Sequence, residues 1–243
     1  MKFSRFIYPA VIVLAIGGAG CRRSNPAKER VQAEREKWEA SLPDSLKAVE
    51  RQTDSIRAEI KTLGQELDAM LPDFDYVDNP REVEGYYIAK TWKDSYPMNT
   101  TGLRGRLTKG ERLELVATLA GGAHFDRLRV EADNSSAETS AVPHDQALNY
   151  RMEGLNTVCF SDSAANSCAR LIADAQGQVT LIYLEGDRTT GKLTYPQKDK
   201  ATMALTWKLF DTRREMTLDE RMLPLLAKKG AIIASRIESL KSN

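Results

Sequence analysis

Apolar residues recur along this chain with three different periods, and the changes of period divide it. Residues 6–19 form one nearly unbroken apolar run. Between Asp44 and Met70 the apolar positions are Leu46, Val49, Ile56, Ile60, Leu63, Leu67 and Met70, with Thr53 in the one gap. Steps alternating between three and four make a heptad seam on an otherwise charged helix. Pro43 and Asp44 suit the start of that helix, one as a first-turn residue and the other as a cap, and Pro72 marks its end. Upstream, residues 26–42 hold Val31, Trp38 and Leu42 without a clean period, which predicts a shorter, separate helix.

From residue 83 to residue 196 the texture is that of short strands. Runs at 85–90, 102–107, 111–119, 125–131, 148–153, 157–160, 179–184 and 192–195 are separated by turn signals such as Lys109-Gly110, Gly121-Gly122 and Asp133-Asn134. Alternation is strict in places: Leu113, Leu115 and Ala117 face one way, Arg112, Glu114 and Val116 the other. One helix interrupts the strands at 163–175, with Ala164, Cys168, Leu171, Ile172 and Ala175 on its inner face and Gly177 at its stop. A second is predicted at 197–214, burying Ala201, Ala204, Leu205, Trp207 and Leu209. Strands in runs, rather than alternating with helices, predict an α+β fold: an antiparallel sheet or sandwich with attached helices. A last amphipathic helix, 218–240, places Leu218, Met222, Leu225, Leu226, Ile232, Ile233, Ile237 and Leu240 in one stripe. At about 40 and 35 Å the stalk helix and this one match for antiparallel pairing; self-association into a dimer or trimer would satisfy the same seam.

The opening run adds a location. Lys2 and Arg5 precede it, no acidic residue does, and it closes in Gly17, Gly18, Ala19 and Gly20 before Cys21. That order is the n-region, h-region and small-residue exit of a secretory signal. Its 14 apolar positions fall short of the roughly 20 that cross a bilayer as a helix. Gly18-Ala19-Gly20-Cys21 resembles the lipobox of bacterial lipoproteins, although that family usually carries leucine where this chain has Gly18. The resemblance implies that Cys21 is diacylated on sulfur and becomes the first residue of the mature chain. Several acyl chains on one cysteine hold a protein on a membrane where a single chain binds only marginally. The domain boundaries that follow are a signal at 1–20, a linker at 21–27, a helical stalk at 28–71, a β-rich domain at 80–196 and C-terminal helices at 197–241.

Composition narrows the partners. The chain has 35 Lys and Arg against 34 Asp and Glu, and without Lys2 and Arg5 the count is 33 to 34. Such a balance, without a basic stripe, argues against nucleic acid. With Cys21 acylated, Cys159 and Cys168 remain as an even pair in an oxidising compartment, where a bridge between them is favoured over two unlinked core residues.

The middle region also resembles a set of uncharacterised envelope lipoproteins of Bacteroidota, through Gly102-Leu103-Arg104-Gly105-Arg106-Leu107, Asn149-Tyr150-Arg151 and residues 157–186. The resemblance implies a charged helical stalk below a β-rich domain, and no activity. Surface-exported lipoproteins of that group carry acidic residues just after the cysteine; Arg22-Arg23 departs from this and points to the periplasmic face of the outer membrane.

Motifs for chemistry are thin. Residues 186–192, Gly-Asp-Arg-Thr-Thr-Gly-Lys, match a phosphate-binding loop as far as the lysine. The next position should be Ser or Thr opening a helix and is Leu193 in a strand-like run, so a hairpin turn is expected. The two histidines, His124 and His144, have no metal-ligand spacing, and no Gly-x-Ser-x-Gly elbow is present. His144 beside Asp145 is the one candidate base of a hydrolase, and a turn after Pro143 competes with it. Tyr86, Tyr87, Trp92 and Tyr96 cluster together, and in the loop 91–100 Trp92 and Tyr96 are placed to stack on a glycan or peptide, or else to close the edge of a small core. These readings rank as a non-enzymatic, cofactor-free anchored protein presenting a domain to an envelope partner, then a ligand-binding module, then a hydrolase.

Overall fold

The computed structural model describes residues 26–78, 82, 84–145 and 147–242. Residues 1–20, with the signal expected there, and Cys21 lie outside the described residues. The fold is α+β. Helix α1 (Pro26–Met70) leads into the antiparallel strands β1 (Phe74–Val77), β2 (Tyr86–Ala89), β3 (Gly102–Thr108) and β4 (Leu113–Ala120). Then come β5 (Arg127–Ala132), β6 (Ser135–Glu138), β7 (Asn149–Met152) and β8 (Leu155–Phe160), helix α2 (Ser163–Asp174), β9 (Val179–Glu185), β10 (Arg188–Thr194) and helix α3 (Gln197–Lys241).

Two sheets share one core. The larger runs β1-β2-β3-β4-β8-β7 and the smaller β10-β9-β5-β6. Alternation sends Leu103, Leu107, Leu113, Leu115, Val158 and Phe160 of the first sheet inward to meet Leu128, Val130, Leu181 and Tyr183 of the second. Helix α2, capped by Asp162 accepting from the Ala165 amide at 2.8 Å, adds Ala165, Cys168, Ala169 and Ile172. The first turns of α3 add Met203, Leu209 and Phe210. Gly105 sits on β3 where α3 crosses: a Cβ there would stand 2.9 Å from the Met203 sulfur, so the absent side chain sets how closely the helix approaches. Residues 186–192 form the β9–β10 hairpin, as expected, with Gly186 at φ +56°.

The stalk is an antiparallel hairpin of two helices of 45 residues each, about 68 Å long apiece. Leu42, Val49, Ile56, Leu63, Leu67 and Met70 are buried along α1, with Leu46, Thr53 and Ile60 half-buried between them, so the heptad seam is the contact surface. Val49 and Ile56 pack on Leu226, with Met222, Leu223 and Ile233 around them. Two ion pairs across the hairpin, Lys208–Glu66 and Arg236–Glu39, lie 28 residues apart on α3 and 27 on α1, so the register holds from base to tip.

Four expectations are corrected. The predicted break at Pro43 is absent: the helix runs through, and Leu42, 3% exposed, extends the seam a further step. The two predicted C-terminal helices are one, continuous through Pro224, because packing on α1 outweighs the lost backbone hydrogen bond. In α3 the buried face is Thr202, Met203, Thr206, Leu209 and Phe210, while Ala201 is exposed; on α2 Ala165 and Ala169 are buried and Ala164 is half-buried. The β domain starts at Phe74 rather than residue 80, since β1 pairs with β2, and β6 is a further strand outside the expected set: both are edge strands of four residues, too short for a period to stand out.

Candidate functional site

Strand β3 reads Leu-Arg-Gly-Arg-Leu, and with Leu103 and Leu107 in the core its two arginines share the opposite face. Residues 90–101, which return the chain from β2 to β3, fold against them. Arg106 lies with its guanidinium carbon 4.3 Å from the Tyr86 ring centre. Its Nε donates to Glu114 Oε2 at 2.8 Å and its Nη1 to the Tyr96 hydroxyl at 2.9 Å, with Glu82 at 2.6 Å. Tyr86 and Tyr96 meet edge to face with centres 5.8 Å apart. Arg104 has the same kinds of partner. Its Nη1 is 2.9 Å from Asp199 in the first turn of α3, and its guanidinium lies 5.3 Å from the Trp92 ring centre. Trp92 Nε1 donates to the same carboxylate at 2.9 Å. Two half-buried cations are thus each paired with a carboxylate and an aromatic face, the arrangement that makes a largely desolvated charge tolerable.

This geometry separates the two aromatics singled out from the sequence. Trp92 is 1% exposed and belongs to the core, so of its two expected roles it closes the core and is not a stacking platform: its segment is a 3-10 turn whose indole is consumed by Asp199 and Arg104. Tyr96 is half-buried and lines an open groove of about 440 Å³ with Val77, Tyr86, Ile88, Lys93 and Pro97. Lys93, at the rim, pairs with Asp75 at 3.0 Å. With Asp78 also in the lining, the groove offers aromatic and apolar walls with a cation and a carboxylate, which is the material of a binding surface.

Cys159 and Cys168, the pair for which a bridge is expected, stand as unlinked thiols in the structure. Phe160 and Val158 point into the core beside Cys168, so Cys159, between them in β8, faces the other side of the sheet towards Glu114 and Arg106. A bridge would have to pass through the sheet. Burial pushes both thiols up to about 12.

His144 is exposed, with the His124 ring centre 6.3 Å away. Asp145 does not orient it: that carboxylate accepts the backbone amides of Ala147 at 2.8 Å and Asn149 at 3.1 Å, and of Leu148, and so closes the turn. Those amides hold it below the usual carboxylate range. No group of three or more His, Cys, Asp or Glu side chains stands together for a metal among the described residues.

Comparison with protein-family models, with curated proteins and with solved structures found no match to this chain. Sequence reasoning missed the two neighbouring clusters, Arg104 with Asp199 and Arg106 with Glu82 and Glu114. Two arginines two residues apart on a strand with a leucine-lined inner face were the available signal; their partners come from 8 to about 95 positions away and carried none.

Proposed function

We propose that this chain is a lipid-anchored spacer: acylated at Cys21, it stands in the outer membrane facing the periplasm and carries its β domain on a rigid helical hairpin to a partner in the envelope. The observation that carries the reading is the polarity of the hairpin. Met70 and Leu67 at one end of α1 belong to the core of the domain, while Pro26 at the other end follows Cys21 by five residues. About 55 Å of paired helix separates that end from the domain. A helix stabilised by a partner along its whole seam transmits position, where a flexible linker of the same length would not. No reaction is part of the proposal; the binding surface it presents is the domain's.

The test is the anchor. Wild-type protein should fractionate with membranes and carry a mass at its mature amino terminus that includes the acyl groups. Cys21→Ser should lose that mass and move to the soluble fraction. A Cys21→Ser protein that stays in the membrane at unchanged mass would end the proposal.

A second reading, a small ligand or peptide held by the domain, draws on the groove beside Tyr96. Tyr96→Ala and Lys93→Ala, rather than any change at buried Trp92, are the variants whose loss of glycan or peptide binding would support it.

A further inference from the structure

One flank of the hairpin is apolar where it should be wet. Leu218, Leu225 and Ile232 are 53%, 60% and 63% exposed, and Trp38 on α1 is 53% exposed. Single exposed leucines are ordinary; three large exposed side chains along one groove, with Leu218 one heptad beyond Leu225, are not. The groove between the helices, about 530 Å³, is lined by Trp38, Leu225 and Ile232 together with Leu42, Val49 and Ile233. The last three also belong to the inner seam, so apolar surface continues from the inside of the hairpin to its outside, with Gln52, Lys228 and Lys229 completing the lining.

The spacing identifies the occupant. Leu218, Leu225 and Ile232 are seven residues apart, a coiled-coil period, and not the broader 3.6-residue stripe of a helix resting on a lipid surface or a globular core. On the α1 side, Ser45 and Ala48 keep the wall low and leave room for another helix. From Trp38 to Glu59 the flank is about 32 Å long and two helices, or about 20 Å, wide. Two such faces bury about 1,300 Å² in total, within the range of specific interfaces. We propose that a second copy of this chain packs on this flank, stalk against stalk and pointing the same way, as a four-helix bundle. A twofold axis along the hairpin makes the surface its own complement and places both Cys21 residues at one end. The shared direction rests on the anchored reading above; the contact itself does not.

Cysteine cross-linking of the full-length protein in its membranes tests this. Cys168 is buried and Cys159 half-buried on the β domain, away from the stalk, so the parent chain serves as the blank. Residues near the axis meet their own copies: Leu225→Cys and Ile232→Cys should each oxidise to a species of twice the mass, and Ala227→Cys, on the other flank of α3, should not. If Ile232→Cys links only to Leu218→Cys, the copies run in opposite directions and the proposal is wrong. It is equally wrong if Ala227→Cys links as well, or if the adduct contains a different protein. The detergent-solubilised protein should sediment as a dimer and the Leu225→Glu/Ile232→Glu double variant as a monomer with unchanged helical circular dichroism. A monomeric parent overturns the contact. Because the dimer should persist in Cys21→Ser, failure of the contact and failure of the anchor give different results.

Discussion

Arg106 carries a charge into a site that water reaches only in part, and its environment answers with two carboxylates, a hydroxyl and an aromatic face. Removing one member of such a set is costly because the others stay behind, charged and enclosed; Glu114 is 8% exposed. Arg106→Ala should destabilise the protein by about 3–5 kcal/mol, read as a lowered denaturant midpoint. Adding Glu114→Ala to that variant should recover part of the loss, which a purely packing role for Arg106 would not allow. At the same scale, the thiols of Cys159 and Cys168 are held protonated by burial well above neutral pH. Without any reductant, iodoacetamide should leave both unmodified in the native protein and alkylate both after denaturation. Protection that persists in denaturant until reductant is added would restore the bridge.

Among the elements, the hairpin is the most open to adjustment. Gly64 in α1 has nothing within 4 Å of where a Cβ would lie, and a Cβ at Gly230 in α3 would make ordinary contacts of 3.6 and 3.9 Å with Val49 and Leu46. Each glycine costs its helix about 1 kcal/mol relative to alanine. Gly64→Ala and Gly230→Ala should therefore each raise the melting temperature by a few degrees. Gly105→Ala in β3 should lower it, because the methyl group would press on Met203 and Thr206. The base of the hairpin also holds like charges together. Desolvation, with Asp211 and Glu59 nearby, holds the Glu215 carboxyl above its usual range, and desolvation with Glu59 does the same for Asp219. A carboxyl with a raised folded-state pKa favours the folded state when protonated and loses that contribution as pH rises through the folded value. Glu215→Gln should accordingly melt higher than the parent at neutral pH, and the difference should close on acidification towards the ordinary carboxylate range.

On the scale of the whole molecule, α3 belongs to two structures at once. Met203, Leu209 and Phe210 are core residues of the domain, and Leu226 is a seam residue of the stalk, on one uninterrupted helix. Domain and stalk are therefore coupled through helix rather than through a linker. Removing one heptad from each helix at matching levels, residues 47–53 and 221–227, should preserve the register and shorten the stalk by about 10 Å. Removing either heptad alone should break the Arg236–Glu39 pair and expose the tip of the longer helix to proteolysis. Equal protease resistance in all three variants would count against the register.

Periodicity alone determined the elements whose side chains repeat: the seam from Leu46 to Met70, eight of the ten strands, the helix around Cys168 and the α+β class itself. These are legible because a 3.5- or 2-residue repeat decides locally which face meets the core. Tertiary structure alone decided the rest. Continuity through Pro43 and Pro224 came from a partner helix whose packing exceeds a local penalty, and the separation of Cys159 from Cys168 came from which face of β8 met the core. The arginine clusters drew their carboxylates from a loop, a neighbouring strand and a distant helix, and the exposed row at Leu218, Leu225 and Ile232 emerged only once α1 had chosen which side of α3 to cover. A residue's local pattern says that it has an inner and an outer face; only the assembled chain says what stands opposite each.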